Sequence, residues 1–155
     1  MRKGLADIAR RVEVSRAANQ RYLEALSVVK KPAPTQSVLD PVSRSIVKEK
    51  RPYRGLRPIT PEDASLFRAV LRGEHLLKGF RNQDLRHYLT SRDETDPLRR
   101  RRVSGRITRQ LRLLRAHGLI RKVSRSSYYR VTPKGHHVMT TALRIRDLDV
   151  AQIAA

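Results

Sequence analysis

The chain has no cysteine and no tryptophan, and aromatic residues fill only 5% of its 155 positions. Without cysteine there are no disulfides, thiolate metal sites or cysteine nucleophiles, a composition that fits a reducing cytosol. So few rings make any core aliphatic and modest, and they count against single-strand binding by base stacking, although Tyr128 and Tyr129 keep that class open. No apolar run approaches the roughly 18–20 residues of a membrane span, so no membrane partner is expected. The opening MRKGLADIARR alternates charged and apolar residues and reads as no secretory signal, which makes cytoplasmic the expected location.

Acid is the most informative absence. Between Pro97 and Arg146 there are 15 Arg or Lys residues and not one Asp or Glu. The whole chain carries 35 basic and 14 acidic residues, a formal net charge of +21, and its pI is near 11.6. Like charges repel, so loading one segment with arginine brings folding nothing. An anion outside the chain must account for it, and a phosphate backbone is the usual one.

Signs of catalysis are equally sparse. There is no glycine-rich phosphate loop, and no serine has a base and an orienting acid in a recognisable motif. His136 and His137 are adjacent and would point about 100° apart on a helix, so they cannot chelate one ion and read as surface residues. His75, His87 and His117 stand in no ligand motif. Asp93, Glu94 and Asp96 share one polar loop and read as a solvated connector. The expectation is no enzyme, no cofactor and no metal.

Apolar spacing sets the organisation. Leu5, Ile8, Ala9 and Val12, then Tyr22, Leu23 and Leu26, predict a helical arm over residues 1–30. Prolines and the lack of periodicity make residues 31–59 an extended linker, with one short edge strand around Ser45 to Lys48. Thr60-Pro61-Glu62-Asp63 is a helix start with a capping threonine, and Leu66, Phe67, Val70 and Leu71 supply its apolar face. Leu76 to Phe80 reads as a short extended piece. Asn82 caps the next helix, which carries Leu85, Tyr88 and Leu89, and Ser91 to Asp96 forms a loop. Pro97 opens a long helix to about His117, stopped by Gly118. Leu119 to Arg125 and Ser127 to Thr132 are two strands, and Pro133 starts a last helix with Val138, Met139 and Leu143.

The segment HGLIRKVSRSSYYRVTPKGHHVM resembles the wing of winged helix-turn-helix proteins of the MarR/ArsR type. GFRNQDLRHYL and VSGRITRQLRLLRAHG are similar to the second and third helices of the same unit. The resemblance spans about residues 60–146. It implies a mainly α chain with a winged helix-turn-helix domain over 60–155, preceded by the helical arm. It also implies a third helix in the major groove and a wing along the neighbouring phosphates. LADIARRVEVSRAANQRYLEAL is similar to helix-turn-helix repressor heads, but Glu13 replaces the glycine of the tight turn and polar Asn19 replaces a core residue. A helical hairpin or one packing helix is therefore the reading adopted for the arm.

On a 3.6-residue wheel Val103, Ile107, Leu111 and Leu114 form the core stripe. Arg99, Arg102, Arg106 and Arg109 fall on one flank with Gln110 at its edge, and this flank is assigned to base contacts. Ser104 and Thr108 lie on the opposite flank beside Arg101, Arg112 and Arg115, assigned mainly to phosphates or solvent. Arg100 projects near the apolar stripe without explanation. The wing adds Arg121, Lys122, Arg125 and Arg130. Ser124, Ser126, Ser127 and Lys134 are further phosphate donors. The candidate DNA-binding residues are thus Arg99, Arg102, Arg106, Thr108, Arg109, Gln110, Arg121, Lys122, Arg125 and Arg130.

The function expected is sequence-specific or semi-specific binding of double-stranded DNA, in transcriptional control and at the nucleoid. A structured-RNA or ribonucleoprotein accessory is the alternative. The chain also loosely resembles the tail of longer bacterial proteins, which implies a DNA-binding tail of a larger, mobile-element-like protein. The final helix has more apolar surface than a capping helix needs. The resemblance implies a homodimer through it, packing within the chain is the other possibility, and the arm is a second candidate for self-association.

Overall fold

Aliphatic residues at helical spacing converge from five segments onto one core in this computed structural model, which describes Arg16, Asn19, residues 34–90 and residues 96–148. The expected arm over 1–30 lies outside the described residues apart from Arg16 and Asn19, both in helical backbone. Residues 91–95 of the expected loop also lie outside them. Among the described residues the chain is mainly helical. In order they form α1 (Thr35–Ser43), β1 (Ile46–Lys48), β2 (Arg51–Tyr53), α2 (Pro61–Val70), α3 (Gly73–Lys78), α4 (Asn82–Leu89), α5 (Pro97–Ala116), β3 (Ile120–Lys122), β4 (Tyr129–Val131) and α6 (Pro133–Asp147). Each strand pair is a separate antiparallel hairpin.

Leu66, Phe67 and Val70 of α2, Leu85 of α4, and Ile107, Leu111 and Leu114 of α5 are buried as their spacing predicts. Val103 packs at the edge of the same core. The helices α2, α4 and α5 meet here, and β3 continues directly from the end of α5.

The linker expectation for residues 31–59 is corrected. Residues 35–43 form a helix that buries Val38, Leu39 and Val42, and 46–53 form a tight hairpin. Proline content alone does not decide against a helix here, because burial outweighs its cost. Pro41, inside α1, costs about 3 kcal/mol in a helix interior. Burying three aliphatic side chains returns roughly 1.5–3 kcal/mol each, so the helix wins. Beyond the hairpin the chain returns to the end of α1, where the Leu56 amide donates to the Val42 carbonyl at 2.8 Å.

Two cap assignments and one strand also change. The Thr60 hydroxyl donates to the Arg57 carbonyl at 2.9 Å and caps nothing. Buried Asp63 instead gathers the region, accepting from the Arg57 amide at 2.7 Å and from Arg54 Nη2 at 3.0 Å. Asn82 is the first residue inside α4, not its cap. Leu76 to Phe80 is not extended: Gly73–Lys78 is a helix, and Phe80 alone forms a bridge, to Tyr129.

The ends of α5 follow the sequence. The Asp96 carboxylate accepts from the Leu98 amide at 3.0 Å, ahead of Pro97 at the first helical position. At the other end Gly118 takes φ +74°, which lets its amide reach the Arg115 carbonyl and the Leu119 amide reach Leu114. That paired arrangement ends a helix sharply and needs a residue free to adopt the left-handed region. Lys134 Nζ donates to the His117 carbonyl at 3.1 Å and so serves this helix end.

In α6, Val138, Met139 and Ala142 are buried, and the helix packs on α1 and α2. Much of the apolar face that the dimer expectation invoked is therefore covered within the chain, by α1 and α2 together, while Leu148 stays exposed. His136, expected at the surface, is buried, and its Nδ1 has no hydrogen-bond partner among the described residues. Its side of α6 turns inward with Met139, one turn on, so neighbourhood on the helix, not polarity, decides its place.

Candidate nucleic-acid interface

Asn82 sets the geometry of the interface. Its Nδ2 donates to the Ser104 carbonyl at 2.9 Å and to the Thr108 hydroxyl at 2.8 Å, while the Ser104 hydroxyl donates back to Asn82 Oδ1 at 3.2 Å. These bonds hold the start of α4 against the middle of α5. Arg86, four residues beyond Asn82, lies on the same side of α4 and is carried alongside α5.

The hairpin β3–β4 has three register pairs of its own and is tied to the body through Phe80 and Arg81. Ile120 pairs with Val131, Arg121 with Arg130, and Lys122 with Tyr129. Phe80 exchanges both backbone hydrogen bonds with Tyr129, at 3.0 and 2.7 Å, and adds a third strand-like segment. Gly79 makes this approach possible, since a Cβ there would sit 2.8 Å from the Tyr129 carbonyl oxygen. The Arg81 guanidinium lies 5.0 Å from the centre of the Tyr128 ring, and the Phe80 and Tyr129 rings stack at 6.0 Å. At the tip Arg125 has φ +53°, and the Ser126 hydroxyl donates to the Val123 carbonyl at 3.0 Å. Ser126 thus closes the turn, whereas Ser124 and Ser127 remain exposed.

Within this frame Arg102, Arg106 and Arg109 of α5 are exposed, as are Arg121, Lys122 and Arg125 of the hairpin. Arg99 is exposed in the first turn and lies 3.7 Å from the Asp96 carboxylate. Arg130 and Gln110 are half-buried. Thr108 is also half-buried, and its hydroxyl is taken by Asn82 and by the Ser104 carbonyl at 2.9 Å, so it belongs to the helix contact more than to an open surface.

Arg86, Arg100, Arg101, Ser104, Gly105 and Arg112, outside the expected set, join Thr108 and Arg109 from within it. Arg100, Ser104, Thr108 and Arg112 repeat at intervals of four and form one row along the α4-facing side of α5. With Arg86, Arg101, Arg109 and Gly105 they line an open concavity of about 590 Å3. Its five guanidinium groups include Arg100, the residue that the wheel left unexplained. The spacing of four was visible in the sequence. The position of α4, which turns that row into a concavity, was not.

Ion pairing divides the molecule. Arg54, Arg68, Arg72 and Arg81 each have a carboxylate within reach, on Asp63, Asp147, Glu74 and Asp84 respectively. The Tyr88 hydroxyl and then Arg72 donate to Glu74 and hold its carboxyl below the usual value; the same bond raises the Tyr88 hydroxyl. By contrast, Arg102, Arg106, Arg109, Arg112 and Arg115 of α5, and Arg121, Lys122 and Arg125 of the hairpin, make no ion pair among the described residues. Along α5 the steps 99–102, 102–106, 106–109, 109–112 and 112–115 are like-charge neighbours. At about 0.2–0.5 kcal/mol each they oppose the helix by roughly 1–2.5 kcal/mol, a real fraction of a stability of about 5–15 kcal/mol.

Among the described residues no group of three or more His, Asp or Glu is placed to hold a metal ion, and no helix is long and apolar enough to cross a membrane. No protein-family model, curated protein or solved structure matches the chain.

Proposed function

We propose that this chain binds double-stranded DNA without catalysis, as a winged helix-turn-helix protein acting in transcriptional control, with α5 in the major groove and hairpin β3–β4 on the adjacent backbone. The observation that carries this reading is the contrast in pairing. Arg54, Arg68, Arg72 and Arg81 each reach a carboxylate, whereas Arg102, Arg106, Arg109, Arg112, Arg115, Arg121, Lys122 and Arg125 make no ion pair among the described residues. Such a surface is favourable only against an external polyanion. The order α2, α4, α5, β3, β4 supports a duplex over other anions, because an arginine-rich helix followed by a ribbon suits one groove and its flanking phosphates. Arginine suits both contacts, since its planar fork bonds bidentately to guanine or phosphate and stays charged.

Single-strand binding is less favoured. Tyr128 lies against Arg81 and Tyr129 against Phe80, so each ring already has one partner within the chain and few rings remain for stacking. The test is competition binding of a labelled random duplex against structured RNA and single strands at several salt concentrations. With roughly six to eight phosphate contacts, duplex affinity should fall about a thousandfold or more between about 50 and 200 mM salt. Equal preference for structured RNA would remove the DNA reading.

A further inference from the structure

We infer that α5 approaches its polyanionic partner most closely at Gly105, on the side facing α4, and not along the Arg99–Arg106 flank. This rests on the duplex-binding reading and names the part of the surface that does the reading.

Gly105 sits in the interior of a 20-residue helix, where glycine is the least favourable residue short of proline. Other glycines have reasons inside the fold. A Cβ at Gly55 or Gly135 would lie 1.9 Å from a backbone carbonyl oxygen, one at Gly79 would lie 2.8 Å from another, and Gly118 has φ +74°. Gly105 has none of these. Apart from its chain neighbours and the backbone of its own helix turns, no atom among the described residues comes within 4 Å of its would-be Cβ, and its φ is outside the left-handed region. Gly73 is equally open, but it stands at the first position of α3, where a helix tolerates glycine well. Folding therefore gives no reason for glycine at 105, and alanine would serve the helix better.

The surroundings supply a reason outside the fold. Gly105 lies in the concavity whose walls carry Arg86, Arg100, Arg101, Arg109 and Arg112. The neighbouring Ser104 and Thr108 hydroxyls are engaged by Asn82, so of the residues lining this stretch of α5 the glycine alone adds no side chain. A bare Cα there lets a sugar–phosphate backbone or a base edge come against the helix while guanidinium forks close from both sides. A side chain would hold the duplex off and lengthen each of those contacts together.

Two substitutions test this, each measured by thermal melting and by titration of a labelled duplex. Gly105→Ala should raise the melting temperature by roughly 2–4 °C, because it removes the helix penalty. It should weaken duplex binding about threefold, and Gly105→Leu should weaken it roughly tenfold or more, with the charge of the chain unchanged. A more stable protein that binds less well is the signature expected. Wild-type affinity in both variants overturns this inference and leaves duplex binding intact. A lowered melting temperature for Gly105→Ala also overturns it, since the fold itself would then need the glycine. If the unaltered chain fails to bind the duplex in the same titration, the underlying reading fails as well.

Discussion

Asn82 reaches across from the first residue of α4 to the Thr108 hydroxyl in the middle of α5, at 2.8 Å. One amide thereby sets the spacing of the two helices whose facing sides carry the arginine-lined concavity. Asn82→Ala removes two donated bonds and one accepted bond in a half-buried site. It should destabilise the chain by about 1–3 kcal/mol in urea denaturation. An unchanged unfolding midpoint would show that apolar packing alone holds α4 in place.

The charged residues should separate into two kinds. Arg125→Asn removes a hairpin charge while keeping a residue that tolerates its positive φ. It should weaken all duplexes alike and lower the salt slope by about 0.9. Arg109→Ala should instead relax sequence preference, costing about 1–3 kcal/mol for the preferred duplex over others. If the α4-facing side does the reading, Arg112→Ala exceeds Arg106→Ala in the same selection from random duplexes. An identical response from all of them would contradict the division between groove and backbone.

Gly135 is fixed by a close approach. A Cβ there would lie 1.9 Å from the Leu119 carbonyl oxygen and 2.6 Å from its carbon, so backbone and not a flexible side chain would have to move. The Thr132 hydroxyl accepts from the Gly135 amide at 2.9 Å and donates to Gly118, which ties α6 to the residues leading into β3. Gly135→Ala should cost about 3 kcal/mol or more and displace the base of the hairpin. Denaturation and duplex affinity, measured together, should both fall.

His136 predicts a pH dependence. Burial, then the charges of His137 and Arg144, lower its folded-state pKa below the ordinary 6.5. The unfolded chain therefore takes up a proton at this site before the folded chain does. Stability is complete above about pH 6.5 and declines as pH falls from there toward the lowered value. His136→Gln should flatten that part of the profile between about pH 7.5 and 5, read as urea midpoints. Equal slopes in both proteins would exclude His136 as the source.

Helices with strong internal signals were legible in the sequence. The stripe Val103, Ile107, Leu111 and Leu114 and the stop at Gly118 need only residues within one element, and α5 forms where they place it. Elements whose stability comes from elsewhere were not. The helix α1 carries a proline and owes its stability to Val38, Leu39 and Val42 meeting α6, a partner nearly a hundred residues away. The Asn82 amide looked like a cap because asparagine commonly is one; a hydroxyl 26 residues on claims it instead.

The candidate surface divides in the same way. Its sign and density are written in the chain, because charge depends on residue type and a segment without acids stays cationic in any compact arrangement. Which side of α5 forms the concave face depends on where α4 rests, and that contact is made through space between segments that share no local pattern. Sequence alone therefore determined that an acid-free, arginine-rich helix and hairpin follow one another. Only the tertiary structure decided that Arg86, Arg100 and Gly105 belong to the same concavity, because helix periodicity orders residues around one axis and is silent about a second.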